Sequence, residues 1–247
     1  MCRQLPDFDS LAPLESCDPS VFVSGDRAEQ EVLDFILSLA LVFNDIKNIY
    51  WATIHMDAFA PQSVEEISPS AGQFAGMKNH LIRLLCSTLS EFIRLVRDNE
   101  TSRSSALFTA VIGRCPAAQR RYWNDIVEVS KGGVSDESND VRELLVKIRN
   151  NAGYHYFQVS ALGEGYRHFI SRDQRSRRRA YVSRGGSMKE SRYYFADAAA
   201  QGIWEMWEGE RMSDAIGKMV EATNGFLIYL MTAFAAIRGF AWRSETQ

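Results

Sequence analysis

No two of the four cysteines, Cys2, Cys17, Cys86 and Cys115, stand at C-x-x-C spacing. That absence removes the zinc-knuckle and dithiol redox classes and leaves reduced thiols, the pattern of a cytoplasmic protein. Histidine is equally scarce, at four residues, and neither H-E-x-x-H nor a group of Asp, Glu and His at ligand spacing occurs. No metal and no cofactor is therefore expected. Walker A and G-x-G-x-x-G loops are missing as well. Neither sign of charge dominates: 28 Lys and Arg against 31 Asp and Glu leave −3, with no global preference for nucleic acid or membrane. The longest apolar run, "GFLIYLMTAFAAI" (225–237), is too short to span a bilayer and is followed by Arg238, so a buried helix and no membrane partner are expected. The opening "MCRQLPDFDSLAPLES" lacks the basic-then-apolar order of a signal peptide.

What is present suits one soluble domain with a sizeable core, at 247 residues, 46% hydrophobic and 24% charged. Residues 1–25, with Pro6, Pro13 and Pro19, read as an irregular arm, and 26–247 as a single helical domain. Asp26 is a candidate N-cap. Beyond it Val32, Phe35, Ile36, Leu39, Val42, Phe43 and Ile46 recur at three and four, one face of a helix. Further helices are expected at roughly 71–98, 103–112, from Pro116 to the break at "KGGVSDESND", from 139 or 140 to 156, and at 211–239. The expected fold class is all-α, a bundle of four or more long helices. Between 157 and 196 the runs "YRHFIS", "RRAYVS" and "RYYFAD" read instead as two or three short strands inserted into the bundle.

One stretch carries chemistry. "IRNNAGYHY" (148–156) ends a helix whose apolar stripe is Val141, Leu144, Leu145, Ile148 and Ala152. At about 100° per residue, Arg149 and His155 flank that stripe about 120° apart, and Asn150 faces away. They could converge over a groove or meet counterparts from a second copy. The spacing alone is cheap in a chain with 22 arginines; its weight comes from the amphipathic helix and the polar residue after the arginine.

At "RNNAGYH" the chain resembles the HEPN superfamily (higher eukaryotes and prokaryotes nucleotide-binding), marked by Arg, a polar residue, and His four to six positions after the Arg. The resemblance covers the bundle in pattern, roughly 26–156 with 211–240. It implies a helical bundle that dimerises. It also implies metal-independent endoribonuclease activity in toxin–antitoxin, phage-exclusion or RNA-processing systems, with Arg149, Asn150 and His155 as catalytic residues. An antitoxin or neighbouring protein becomes an expected partner. The branch with Arg, four residues, His, any residue and Tyr is not matched, because the gap here is five and Tyr156 directly follows His155.

RNA supplies its own nucleophile, the 2′-hydroxyl. Histidine, with a free pKa near 6.5, suits the base or acid role at neutral pH, and arginine offers a permanent planar fork to phosphate oxygens. One histidine leaves a second proton transfer unassigned; a homodimer would supply two.

Residues 164–194 hold nine Lys and Arg against three Asp and Glu, a local charge of +6 in a chain of −3. Arg175, Arg177, Arg178 and Arg179 beside Tyr181, with His168 on the preceding run, are candidate RNA contacts: arginines for phosphates, rings for unpaired bases. A solvated hairpin tip with rings packed on the bundle would share that composition. Tyr154, Tyr156 and the Trp204–Trp207 pair suit packing better than chemistry. Two functional classes stay open: the dimeric ribonuclease, and a non-catalytic bundle that binds nucleotide, RNA or a partner protein.

Overall fold

The computed structural model describes residues 15–16, 18–61, 68–132, 141–143, 145–146, 159–171, 181–206, 209–239 and 243–244. Among these the fold is predominantly all-α. In chain order it runs β1 (Glu15–Ser16), a 3₁₀ turn (Pro19–Phe22), α1 (Arg27–Asp57), α2 (Pro69–Asp98), α3 (Glu100–Arg103), α4 (Ala106–Arg114) and α5 (Ala117–Lys131). After helical residues at 141–143 and 145–146 come α6 (Val159–Ser171), α7 (Tyr194–Met206), α8 (Gly209–Arg238) and β2 (Arg243–Ser244). The chain divides into two compact units.

The first unit comprises Met1–Asn48, Thr88–Arg142 and Gly217–Gln247. Asp26 caps α1 as its residue type dictates, its carboxylate accepting the Glu29 N–H at 2.8 Å; such a cap is worth about 1 kcal/mol. Val32, Leu33, Phe35, Ile36, Leu39 and Ile46 then recur at helical spacing and are all buried. They join Leu89, Phe92 and Val96 of α2 and Phe226, Leu230 and Phe234 of α8 in the buried core. A run of rings threads it: Phe35 to Phe108 at 5.3 Å, Phe108 to Trp123 at 5.2 Å, and Trp123 to Phe226 at 4.7 Å between centroids. Tilted pairs at these separations add attraction beyond area burial. Segments near the start and near the end of the sequence meet here too. β1 pairs antiparallel with β2, Phe22 stacks against Phe234 at 5.3 Å, and Arg238 donates to the Glu29 carboxylate and the Val21 carbonyl. α5 stops at Gly132, whose φ of 82° belongs to the left-handed region that glycine enters without strain.

Ser213–Arg238 is long and apolar enough, by length and composition, to cross a membrane. Its Phe226, Leu227, Leu230, Ala233 and Phe234 are nonetheless buried in the protein, whereas Ile228 and Tyr229 are exposed.

The second unit comprises Ile49–Ser87 and Glu143–Ile216. Its strongest packing is α6 along α7. Gly165 and Gly202 meet backbone to backbone: a Cβ on Gly202 would collide with the Gly165 carbonyl, and one on Gly165 with the Ala199 carbonyl. Two helices approach that closely only where side chains are missing.

This pair corrects the strands expected between 157 and 196. "YRHFIS" lies inside α6, and "RYYFAD" enters α7. Aromatic composition pointed to strand, but Gly165 and Phe169 lie four apart on one covered helical face. Three consecutive alanines, Ala198 to Ala200, favour helix beyond Tyr194. Of the expected hairpin, the described residues show one isolated antiparallel bridge, Ser183 with Arg192, while 172–180, which holds the start of "RRAYVS", lies outside them.

Candidate functional site

Arg149, Asn150 and His155 lie outside the described residues, as do Arg175, Arg177, Arg178 and Arg179. The helical stretch that leads toward the motif is described at 141–143 and 145–146, and its phase can be read. Leu145 is buried, while Glu143 and Val146 are exposed. That is the face the apolar stripe requires, with Leu145 inward and residues 143 and 146 on the far side. His168 is half-buried on α6, and its carbonyl accepts the Ser171 hydroxyl at 3.0 Å. Tyr181 is exposed and belongs to the bridged segment that precedes α7, so the two stand on different elements.

Among the described residues of the second unit, the bridged segment and the start of α7, 181–195, form a polar and aromatic assembly. Ser183 and Arg192 exchange both backbone hydrogen bonds, each at 2.9 Å. Gly185 and Gly186 turn the chain between them, their N–H groups held by the Ser191 hydroxyl at 3.1 Å and the Glu190 carboxylate at 3.0 Å. A narrow antiparallel pair has two faces, since successive side chains alternate.

One face docks on α2. The Ser183 hydroxyl and Tyr194 phenol share a hydrogen bond at 2.9 Å, and the phenol also donates to the Pro69 carbonyl at 3.2 Å. Arg192 donates from Nη1 to Gln73 Oε1 at 2.9 Å. It also grips Asp197 with two bonds, Nε to Oδ2 at 2.9 Å and Nη2 to Oδ1 at 3.1 Å. Gly72 and Gly76, one helical turn apart, make the seat: a Cβ on Gly72 would strike the Tyr194 ring and one on Gly76 the Arg192 guanidinium. One turn further along α2 lies His80. Partial burial first, then the positive charges of Arg83 and Arg192, hold its imidazole below its usual value.

The opposite face is bare. Tyr193 is 62% exposed, with Val182, Arg184 and Phe195 also exposed and Met188 at the turn almost fully so. The Tyr193 and Phe195 rings lie 5.7 Å apart at 51° to one another.

Sequence reading named Tyr181 and His168, which stand on different elements, and did not single out Arg192, Tyr193, Tyr194, Phe195 or their seat. The usable signal was Gly72 and Gly76 at i and i+4 within an otherwise regular helix, a mark of close approach by another part of the chain. The thiols hold no reactive site among the described residues: burial pushes Cys86 up to about 12 and also raises Cys115. Neither a protein-family model, nor a curated protein, nor a solved structure matches this chain.

Proposed function

We propose that this protein is a HEPN-like, metal-independent endoribonuclease, acting as a homodimer in a toxin or anti-phage role. The observation that carries the reading is the sequence "RNNAGYH", expected to close an amphipathic helix, in a chain whose described residues are predominantly helical. Support comes from the phase of the described stretch, with Leu145 inward and Glu143 outward; ideal helical spacing continued from there would set Arg149 and His155 on the flanks of the stripe.

The chemistry follows from the residue types. His155 accepts the proton of the RNA 2′-hydroxyl as its oxygen attacks the adjacent phosphorus. Arg149 binds the non-bridging oxygens as negative charge builds on them, a bidentate role that lysine fills less well. The phosphorus–O5′ bond breaks and the leaving oxygen takes a proton from a second acid, which a second copy of the chain supplies. The products are a 2′,3′-cyclic phosphate and a free 5′-hydroxyl. Asn150 orients phosphate or the arginine. A cytoplasmic location and control by an antitoxin or neighbouring protein belong to the same proposal.

The deciding experiment is cleavage of mixed tRNA and mRNA in excess EDTA by the native protein, His155→Ala and Arg149→Ala, with folding checked by circular dichroism. Loss of a positioned general acid–base group is expected to slow cleavage by roughly 10²- to 10⁴-fold. Equal cleavage by all three proteins removes this site from the reaction. RNA binding without cleavage by the native protein favours the non-catalytic bundle instead.

A further inference from the structure

Residues 18–24 lie against the last turns of α8, and what holds them there is mostly polar. Asp18 caps the 3₁₀ turn, its carboxylate accepting the Ser20 N–H at 2.9 Å. Gln30 of α1 ties the other end: its Oε1 accepts the Ser24 N–H at 2.8 Å, and its amide donates to the Phe22 carbonyl at 3.2 Å. Glu29 divides its two carboxylate oxygens between elements. Oε2 accepts the Ser24 hydroxyl, and Oε1 accepts Nη1 of Arg238 from the end of α8. Arg238 also reaches the segment directly, donating from Nη2 to the Val21 carbonyl at 3.3 Å. The apolar fastening is Phe22 on Phe234 at 5.3 Å. None of residues 18, 19, 20, 21, 22, 23 and 24 is buried, whereas Phe234 is fully so.

We propose that residues 18–24 form an acid-released strap, latched over Phe234 by Glu29 and Arg238, which opens on protonation of its carboxylates while the ring-filled core stays folded. The strap does not depend on RNA cleavage. Its direction with pH follows from the contacts. The Ser20 N–H holds Asp18 below its usual value. The Ser24 hydroxyl, and after it Arg238, hold Glu29 down, against the opposing charge of Asp26. Arg238 from α8 and Asp26 from the start of α1 are the charged groups that bear on Glu29 among the described residues. A carboxyl held low in the folded state stabilises the closed strap fully above its free value, 3.8 for Asp18 and 4.5 for Glu29. That contribution is lost as pH falls through the folded values. Protonated Glu29 also leaves the part-buried Arg238 guanidinium without its counter-charge. The core contacts Phe35–Phe108, Phe108–Trp123 and Trp123–Phe226 involve no titrating group, so acid acts on the strap first. A segment with few buried contacts opens as a unit of its own, at lower free energy than the core.

The test is hydrogen exchange by mass spectrometry on the full-length protein, each rate divided by that of an unstructured peptide to remove the direct effect of pH. The amides of Val21, Val23 and Ser24, which donate to Asp18, Ser20 and Gln30, report the strap, and those of α5 report the core. In the native protein, strap protection is expected to fall severalfold between about pH 6 and about pH 3 while α5 stays protected. Arg238→Gln is expected to lower strap protection roughly tenfold at neutral pH, the effect of a lost charge-assisted hydrogen bond. Asp18→Asn combined with Glu29→Gln keeps hydrogen-bond acceptors but removes both titrating groups, so its strap protection no longer follows pH. Protection that falls only in step with α5 overturns the strap. An unchanged pH response in the double variant overturns the role of the carboxylates, and native strap protection in a folded Arg238→Gln protein overturns the latch. The double variant gives its answer even where Arg238→Gln fails to fold.

Discussion

The two units solve the problem of packing helices in opposite ways. The first fills its interior with large rings, Phe35, Phe108, Trp123 and Phe226 in sequence. The second removes side chains at its contacts. Gly165 meets Gly202, and Gly72 and Gly76 admit Tyr194 and Arg192. Ring-filled cores derive stability from apolar area removed from water, a non-directional effect. Glycine contacts bring backbones and polar groups together and place them closely, with less apolar area per contact. Tyr50, Phe59, Tyr181, Tyr193 and Phe195 are exposed in the second unit, against Tyr229 in the first, and the basic stretch 164–194 also falls in the second. Large rings and close glycine contacts are thus divided between the two units.

Three substitutions test that contrast, in decreasing order of effect. Phe226→Ala empties the middle of the ring-filled core and is expected to cost about 3–5 kcal/mol in urea unfolding. Gly202→Ala drives a methyl into the Gly165 carbonyl and should cost about 1–3 kcal/mol, an overpacking penalty rather than a cavity. If the alanine at 202 proves as damaging as the loss of Phe226, the second unit depends on its crossing as heavily as the first on its rings, and the contrast fails. The smallest effect is a pH dependence at His80. Its pKa is held below 6.5 by burial and by Arg83 and Arg192, so the folded protein favours the neutral ring. That contribution is complete above the unfolded value and erodes as pH falls through 6.5 toward the folded one. Native protein should therefore lose more stability than His80→Gln between neutral pH and about pH 5, measured as the shift in urea midpoint. Identical shifts would show that no charge is excluded at His80.

The helices of the first unit were legible because their signal is local and redundant. Val32, Phe35, Ile36 and Leu39 repeat at helical spacing, Asp26 marks the start of α1, and Gly132 marks the end of α5. The second unit was misread where two signals competed. Tyr166, His168, Phe169 and Ile170 have the composition of a strand and the spacing of a helix, and the spacing prevailed in α6. Of the candidate site, the arginine and histidine types and the basic stretch could be named from the chain. Tyr193 could not, because exposure is a property of what its neighbours bind. Only the docking of Arg192 and Tyr194 on α2 turns that ring outward.

Residue types and their spacing by themselves determined the all-α class, the first helix and its cap, and the placing of positive charge in 164–194 of the sequence. These depend on neighbours within a few positions, where helical periodicity and residue chemistry act directly. Tertiary structure alone decided that α6 and α7 cross at two glycines, that β1 finds β2 from the other end of the chain, and which aromatic rings face water. Each of these joins residues distant in sequence, and a contact between distant segments is set by the packing of everything between them.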